Sequence, residues 1–83
     1  MEIIKLENLN KSELHDLFEG YFPAPYGRNL DALHDCLSMV SHPLTIHVDE
    51  DSLLSKLEER YYESLLRMLR ATAEENPNLT VIV

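Results

Sequence analysis

Three short apolar runs, spaced far apart along the chain, constrain the fold of these 83 residues most strongly. The runs are residues 2–6, 44–48 and 79–83, and all three contain β-branched residues that favour strands. Stretches with the apolar spacing of helices separate them, and strands joined through helices pair in parallel. The sequence therefore predicts an α/β fold. We expect one three-layer-like domain over residues 1–83, with a three-stranded parallel sheet packed by about four helices.

Capping residues and helix breakers predict where the elements end. Gly20 is expected to end the first helix, and Gly27, in a loop over residues 21–29, permits a positive φ. The last apolar run is nearly unbroken, which is typical of a strand covered on both faces. The expected helices extend from a cap at Asn10 or Ser12 to about Glu19, from Leu30 to Val40 after a cap at Asn29, through Leu57, and from about Arg60 to Glu75.

The segment from Leu30 to Val40 predicts an amphipathic helix. At roughly 100° per residue its apolar and polar side chains separate onto different faces. The apolar stripe is Leu30, Leu33, Leu37 and Val40, and the polar face is Asp31, His34, Asp35 and Ser38. The leucines are expected to fix the helix to the core while two carboxylates, one turn apart, point outward. By themselves these acids are better explained as a plain solvated surface, with Asp31 favoured in the first turn by the helix dipole.

The charge balance disfavours one class of partner and favours another. Fifteen acids against seven Lys and Arg residues give a formal net charge of −8, and residues 29–51 hold five acids and neither Lys nor Arg. Binding to nucleic-acid phosphates requires clusters of basic residues, so direct nucleic-acid binding is not expected. A basic protein partner is favoured, although an acidic balance also serves solubility alone.

The expected location is the cytoplasm. No apolar run approaches the roughly 18 residues of a membrane span, and no basic-then-apolar signal peptide opens the chain. The single cysteine, Cys36, cannot form an internal disulfide, which fits a reducing compartment. We interpret Cys36 as a small buried apolar residue rather than a reactive thiol.

The run from Tyr26 to Leu37 closely resembles the signature of the barstar family, the bacterial intracellular inhibitors of a secreted guanyl-specific ribonuclease. The family reads Tyr-Gly-x-Asn-Leu-Asp-Ala-Leu-x-Asp-Cys-Leu, and this chain agrees at ten of the twelve positions, with Arg28 and His34 at the variable places. The resemblance is weaker elsewhere, but it extends to Pro43-Leu44 at the middle strand and to the closing strand.

This resemblance implies a ribonuclease inhibitor that protects the cell making the toxin. It places Asp35 in the phosphate site of the enzyme and Asp31 beside it. It implies no catalytic residue, cofactor or metal, and a free protein that is a monomer. The full set of partner-binding residues that we predict is Tyr26, Gly27, Asn29, Asp31, His34, Asp35, Ser38 and Glu75.

The chain departs from the best-known barstar sequences at four positions. Large aromatic residues of the family are replaced by Pro25, His34 and Val40, and an acid is replaced by Ala71. Aromatic residues are common anchors of protein interfaces. We therefore infer a different cognate partner, with the phosphate-site contact kept and the side contacts changed.

Alternative functions remain open on the sequence alone. A barstar-like fold could serve as an interaction module for a partner that is not a nuclease. Asp51-Ser52-Leu53 is similar to the phosphopantetheine site of acyl or peptidyl carrier proteins, which would make Ser52 the modified residue. Asp31, His34 and Asp35 share a helix face and could hold a divalent ion, but they match no known metal-binding motif. No activated nucleophile or phosphate-binding loop indicates an enzyme.

Overall fold

The sheet has three parallel strands and is accompanied by four helices, as the sequence predicts. A computed structural model describes residues 2–22 and 26–83, so the expectation at Pro25 lies outside the described residues. The strands are β1 (Glu2–Leu6), β2 (Leu44–Val48) and β3 (Leu79–Ile82), and their spatial order β1-β2-β3 places β2 in the centre.

The four helices are α1 (Lys11–Tyr21), α2 (Leu30–Ser38), α3 (Glu50–Leu54) and α4 (Glu59–Glu75). Two expected ends were wrong. Helix α1 continues through Gly20, because the chain leaves the helix at Phe22, whose backbone N–H donates to the carbonyl of Phe18. Helix α2 ends before Val40, whose backbone N–H already bonds the carbonyl of Leu37 in a tighter turn.

Helix α1 begins with a capping box, in which two residues satisfy each other's free backbone donors. The side chain of Asn10 accepts from the backbone N–H of Glu13 at 2.8 Å, and the Glu13 carboxylate accepts from the backbone N–H of Asn10 at 3.0 Å. Of the two caps considered from the sequence, Asn10 is therefore the cap.

The helices cover one face of the sheet. On that face the strands contribute Ile4, Leu6, Leu44, Ile46, Val48 and Leu79 to the core. The opposite face carries the exposed side chains of Ile3, Lys5, His47, Thr80 and Ile82. Sheet and helices thus form two layers, where the sequence predicted a three-layer-like arrangement. The expectation that the last strand is covered on both faces was wrong, because the helices leave the outer face of the sheet open and Thr80 and Ile82 of β3 are exposed there.

Candidate partner-binding surface

The loop before α2 is built around the side chain of Asn29. Its Oδ1 accepts from the backbone N–H of Ala32 at 2.7 Å, which caps the helix as predicted. Its Nδ2 donates to the carbonyl of Gly27 at 3.3 Å. One side chain therefore joins the turn to the first turn of the helix and fixes how α2 begins.

Gly27 is required for close packing rather than for a positive φ. A Cβ at this position would lie 3.2 Å from the Cβ of Ala32, so a larger side chain would press on the first turn of α2. The left-handed backbone predicted at Gly27 is found one residue later, at Arg28, with φ 55°.

Arg28 is turned away from α2 and onto the outer side of α1. Its guanidinium lies 2.9 Å from the carboxylate of Asp16 and 3.2 Å from that of Glu19, and it donates to the carbonyl of Ser12 at 3.4 Å. Hydrogen bonding to Asp16 raises its pKa above the ordinary value for arginine. The positive charge of Arg28, which directly precedes Asn29 and α2 in sequence, is therefore engaged by the carboxylates of α1.

Helix α2 presents its two faces as the sequence predicts. Leu33 and Leu37 are fully buried, whereas Asp31, Asp35 and Ser38 are exposed. Val40 follows the helix and is also buried in the core. Within residues 2–22 and 26–83, neither aspartate forms an ion pair with Lys or Arg. Both carboxylates are thus directed to solvent on a helix that is anchored from behind.

His34 joins the predicted site residues of two helices. Its Nδ1 lies 3.7 Å from a carboxylate oxygen of Asp35, and its Nε2 lies 3.4 Å from a carboxylate oxygen of Glu75 at the end of α4. The side chains of Asp35 and Glu75 remain 82% and 60% exposed. We call Asp31, Asp35 and Glu75 the acidic surface.

Sequence reasoning missed the residue that holds this surface together, Asn76. Its buried Nδ2 donates to the carbonyls of Leu37 and Val40, both at 3.0 Å, and more weakly to that of Ser38. The end of α2 is thereby tied to the end of α4, directly beside Glu75. From the sequence, Asn76 is only the residue that follows the expected end of the last helix at Glu75, because a partner 36 to 39 positions away leaves no local signal.

Tyr26 lies in the core rather than on the surface, with 8% of its side chain exposed. Its hydroxyl is hydrogen-bonded to Nδ1 of His15 at 2.5 Å, and Nε2 of His15 is hydrogen-bonded to the hydroxyl of Tyr61 at 2.7 Å. Burial raises the pKa of Tyr26 to about 12, and burial also lowers the pKa of His15. Tyr26 therefore supports the loop from beneath, and we no longer propose its side chain as a partner contact.

Ser52 and Cys36 have local structural roles. The Ser52 hydroxyl accepts from the backbone N–H of Asn8 at 2.9 Å and donates to the carbonyl of Asp49 at 3.3 Å, so it links the end of β1 to the start of α3. Cys36 is half-buried, and burial, followed by the charge of Asp35, raises its pKa and disfavours the reactive thiolate.

Neither a metal-binding cluster nor a membrane-spanning helix is present among residues 2–22 and 26–83. No group of three or more His, Cys, Asp or Glu side chains there is arranged to hold a metal ion. No helix among the same residues is long and apolar enough to cross a membrane.

A comparison with known protein families matches residues 4–82 to the family described as Barstar (barnase inhibitor). The match covers nearly the whole chain and includes the loop, α2 and the end of α4. This chain belongs to the barstar family. Barstar-family proteins are inhibitors rather than enzymes, and the target named in the family's description is the ribonuclease barnase.

Two departures from the best-known barstar sequences have clear positions in the structure. Val40 is buried, so it offers no side chain to a partner. Ala71 is exposed on α4 beside Arg67 and Arg70, so the face of α4 where the family carries an acid is here partly basic.

Proposed function

We propose that this protein inhibits a ribonuclease by inserting the acidic surface into the phosphate-binding part of its active site. The observation that carries this proposal is the pair Asp31 and Asp35, exposed one turn apart on a helix that is anchored in the core by the fully buried Leu33 and Leu37. In the cell the protein would act as the immunity partner of a toxin, in the cytoplasm of the producer.

Substrate mimicry explains how such a surface blocks the enzyme. A ribonuclease that cleaves RNA gathers basic groups around the scissile phosphate, and carboxylates can form charge-assisted hydrogen bonds with the same groups. A rigid helix loses little conformational freedom on binding, so more of the interaction free energy contributes to affinity. No bond is made or broken, because occupancy of the site is sufficient for inhibition.

Charge also favours rapid association. The net charge of −8 attracts a basic enzyme over a distance, which raises the association rate at low ionic strength. Speed suits the proposed role, since a ribonuclease that folds in the cytoplasm would attack cellular RNA at once.

Contacts around the acidic surface are proposed to select a partner other than the usual one. Gly27, Asn29 and Ser38 retain the family residue types, while His34 takes the place of an aromatic anchor. With His34 engaged between Asp35 and Glu75, its part in binding is to order two carboxylates. We therefore propose that affinity for barnase itself is lower than for the cognate enzyme.

The direct test is protection of RNA. The protein is titrated into barnase, and in parallel into any basic ribonuclease encoded beside its gene, while RNA cleavage is followed. We expect stoichiometric inhibition of at least one of them. Asp35→Ala should weaken inhibition by about 2 kcal/mol or more, as expected for a central interface contact.

The matched control is Glu63→Ala, which removes the same charge from an exposed position on α4. Its inhibition should stay close to wild type. If Asp35→Ala inhibits as strongly as the Glu63→Ala control, Asp35 has no role in the interface. If the protein binds a ribonuclease without protecting RNA, it is a plain interaction module.

A further inference from the structure

Met39, immediately after the last residue of α2, is the most exposed large apolar side chain of the described residues. Its relative exposure is 81%, compared with 54% for Ile3, the next highest. Exposing this much apolar surface is unfavourable in water. Nothing in the core accounts for a methionine at this position.

The backbone around Met39 is held rigidly. Its N–H donates to the carbonyl of Cys36 at 3.2 Å. The carbonyls of its two neighbours, Ser38 and Val40, both accept from the buried amide of Asn76. A flexible side chain therefore projects from a fixed main chain, so it can adapt to a partner while only the side chain has to be ordered on binding.

Met39 also lies beside the acidic surface. It follows Asp35 by four residues and directly follows Ser38, an exposed residue of the predicted site. Helix α2 ends at Ser38, and Met39 is its C-cap, with a non-helical backbone of φ −100° and ψ 2°. The exposed side of α2 thus carries two carboxylates, and an apolar residue stands at its end.

We propose that Met39 is an apolar anchor for the ribonuclease partner, seated in an apolar depression next to the basic groups that receive Asp31 and Asp35. The inference rests on the proposed function and adds a chemical requirement for the partner. Charge brings the two proteins together, and the fit of Met39 selects among basic ribonucleases. Methionine is enriched in the contact surfaces of protein complexes.

Binding kinetics with barnase as the probe test this inference. Because Met39 is uncharged, Met39→Ala should raise the dissociation rate about 5- to 30-fold, leaving the association rate and its salt dependence unchanged. Met39→Leu, which keeps the apolar volume, should restore most of the affinity. Asp35→Ala should instead also slow association at low salt.

Ile3→Ala is the control, because it truncates an exposed apolar residue on the open face of the sheet. A dissociation rate for Met39→Ala equal to that of this control overturns the inference while Asp35→Ala can still confirm the proposed function. If the wild type does not bind barnase, the same variants are measured with the basic ribonuclease encoded beside the gene. Absence of binding to both enzymes overturns the proposed function and this inference together. If the free protein dimerises and Met39→Ala abolishes the dimer, Met39 contacts a second copy and the inference is wrong.

Discussion

The side chain of Asn76 helps to position the acidic surface, although it is itself buried. Its amide satisfies carbonyls at the end of α2 that have no partner within the helix, and the same residue ends α4. Through this link the carboxylate of Glu75 lies near that of Asp35. At the other end of α2, the side chain of Asn29 joins the first turn of the helix to the carbonyl of Gly27.

Removing the Asn76 amide should therefore be costly. Asn76→Ala removes the two 3.0 Å hydrogen bonds to the carbonyls of Leu37 and Val40, which then keep only longer bonds of 3.3 Å. We expect the free energy of unfolding to fall by about 1–3 kcal/mol in urea denaturation. Asn78→Ala is the comparison, because it removes a single longer hydrogen bond to the Val40 carbonyl, which Asn76 still satisfies. Equal losses in the two variants would show that Asn76 has no special role.

The sequence alone predicted the structural roles of some of these residues but not of others. Asn29 was predicted as a cap because the signal is local, an asparagine directly before an amphipathic run. The ion pairs of Arg28 were not predicted, because its partners Asp16 and Glu19 lie in α1, about ten residues earlier in the chain. Glu75 entered the expected site only through family resemblance, since nothing in its own segment indicates a contact with α2.

At the scale of elements, a buried hydrogen-bonded chain joins α1, the loop and α4. His15 of α1 lies between the hydroxyls of Tyr26 and Tyr61, so a neutral imidazole can donate from one nitrogen and accept at the other. Burial, followed by the positive charges of Arg28 and Lys11, lowers the pKa of His15, while Asp16 opposes this effect. The loop that precedes α2 thus rests on a group that resists protonation.

This network predicts acid sensitivity. Because the pKa of His15 is lower in the folded state than its usual 6.5, the unfolded chain binds the proton more readily. The contribution of His15 to stability is therefore complete above pH 6.5 and declines as the pH falls through the lower folded pKa. Urea denaturation between pH 8 and 5 measures it.

The matched control replaces an exposed histidine of β2. His47→Gln should retain the decline in stability below about pH 6.5, whereas His15→Gln should flatten it while lowering stability at all pH values. If the two variants lose stability in parallel as the pH falls, His15 is not the responsible group.

The elements themselves were largely predictable. All three strands lie where β-branched apolar runs predict them, because short strands leave a compact local signal. Whether helices cover the second face of β3 was not predictable in this way. The apolar pattern describes a strand, whereas burial of its second face depends on whether helices pack on that side of the sheet, and here His47 of the central strand is exposed there as well.

At the scale of the whole molecule, core and contact surface are separated. The leucines of α2 pack inward with the sheet, so the outward face of the same helix can change without loss of the fold. This separation is consistent with a family fold that keeps its acidic helix while an outward residue such as His34 differs. In the proposed function, electrostatic attraction would come from the entire chain and specificity from a few side chains.

The central claim is that the acidic surface occupies the phosphate site of the ribonuclease. Competition between this protein and guanosine 3′-monophosphate for barnase measures it most directly. We predict that the apparent Kd of the protein rises in proportion to nucleotide concentration once the nucleotide exceeds its own Kd. An apparent Kd that stays constant while barnase becomes saturated with nucleotide would mean that both bind at once, and would contradict the account.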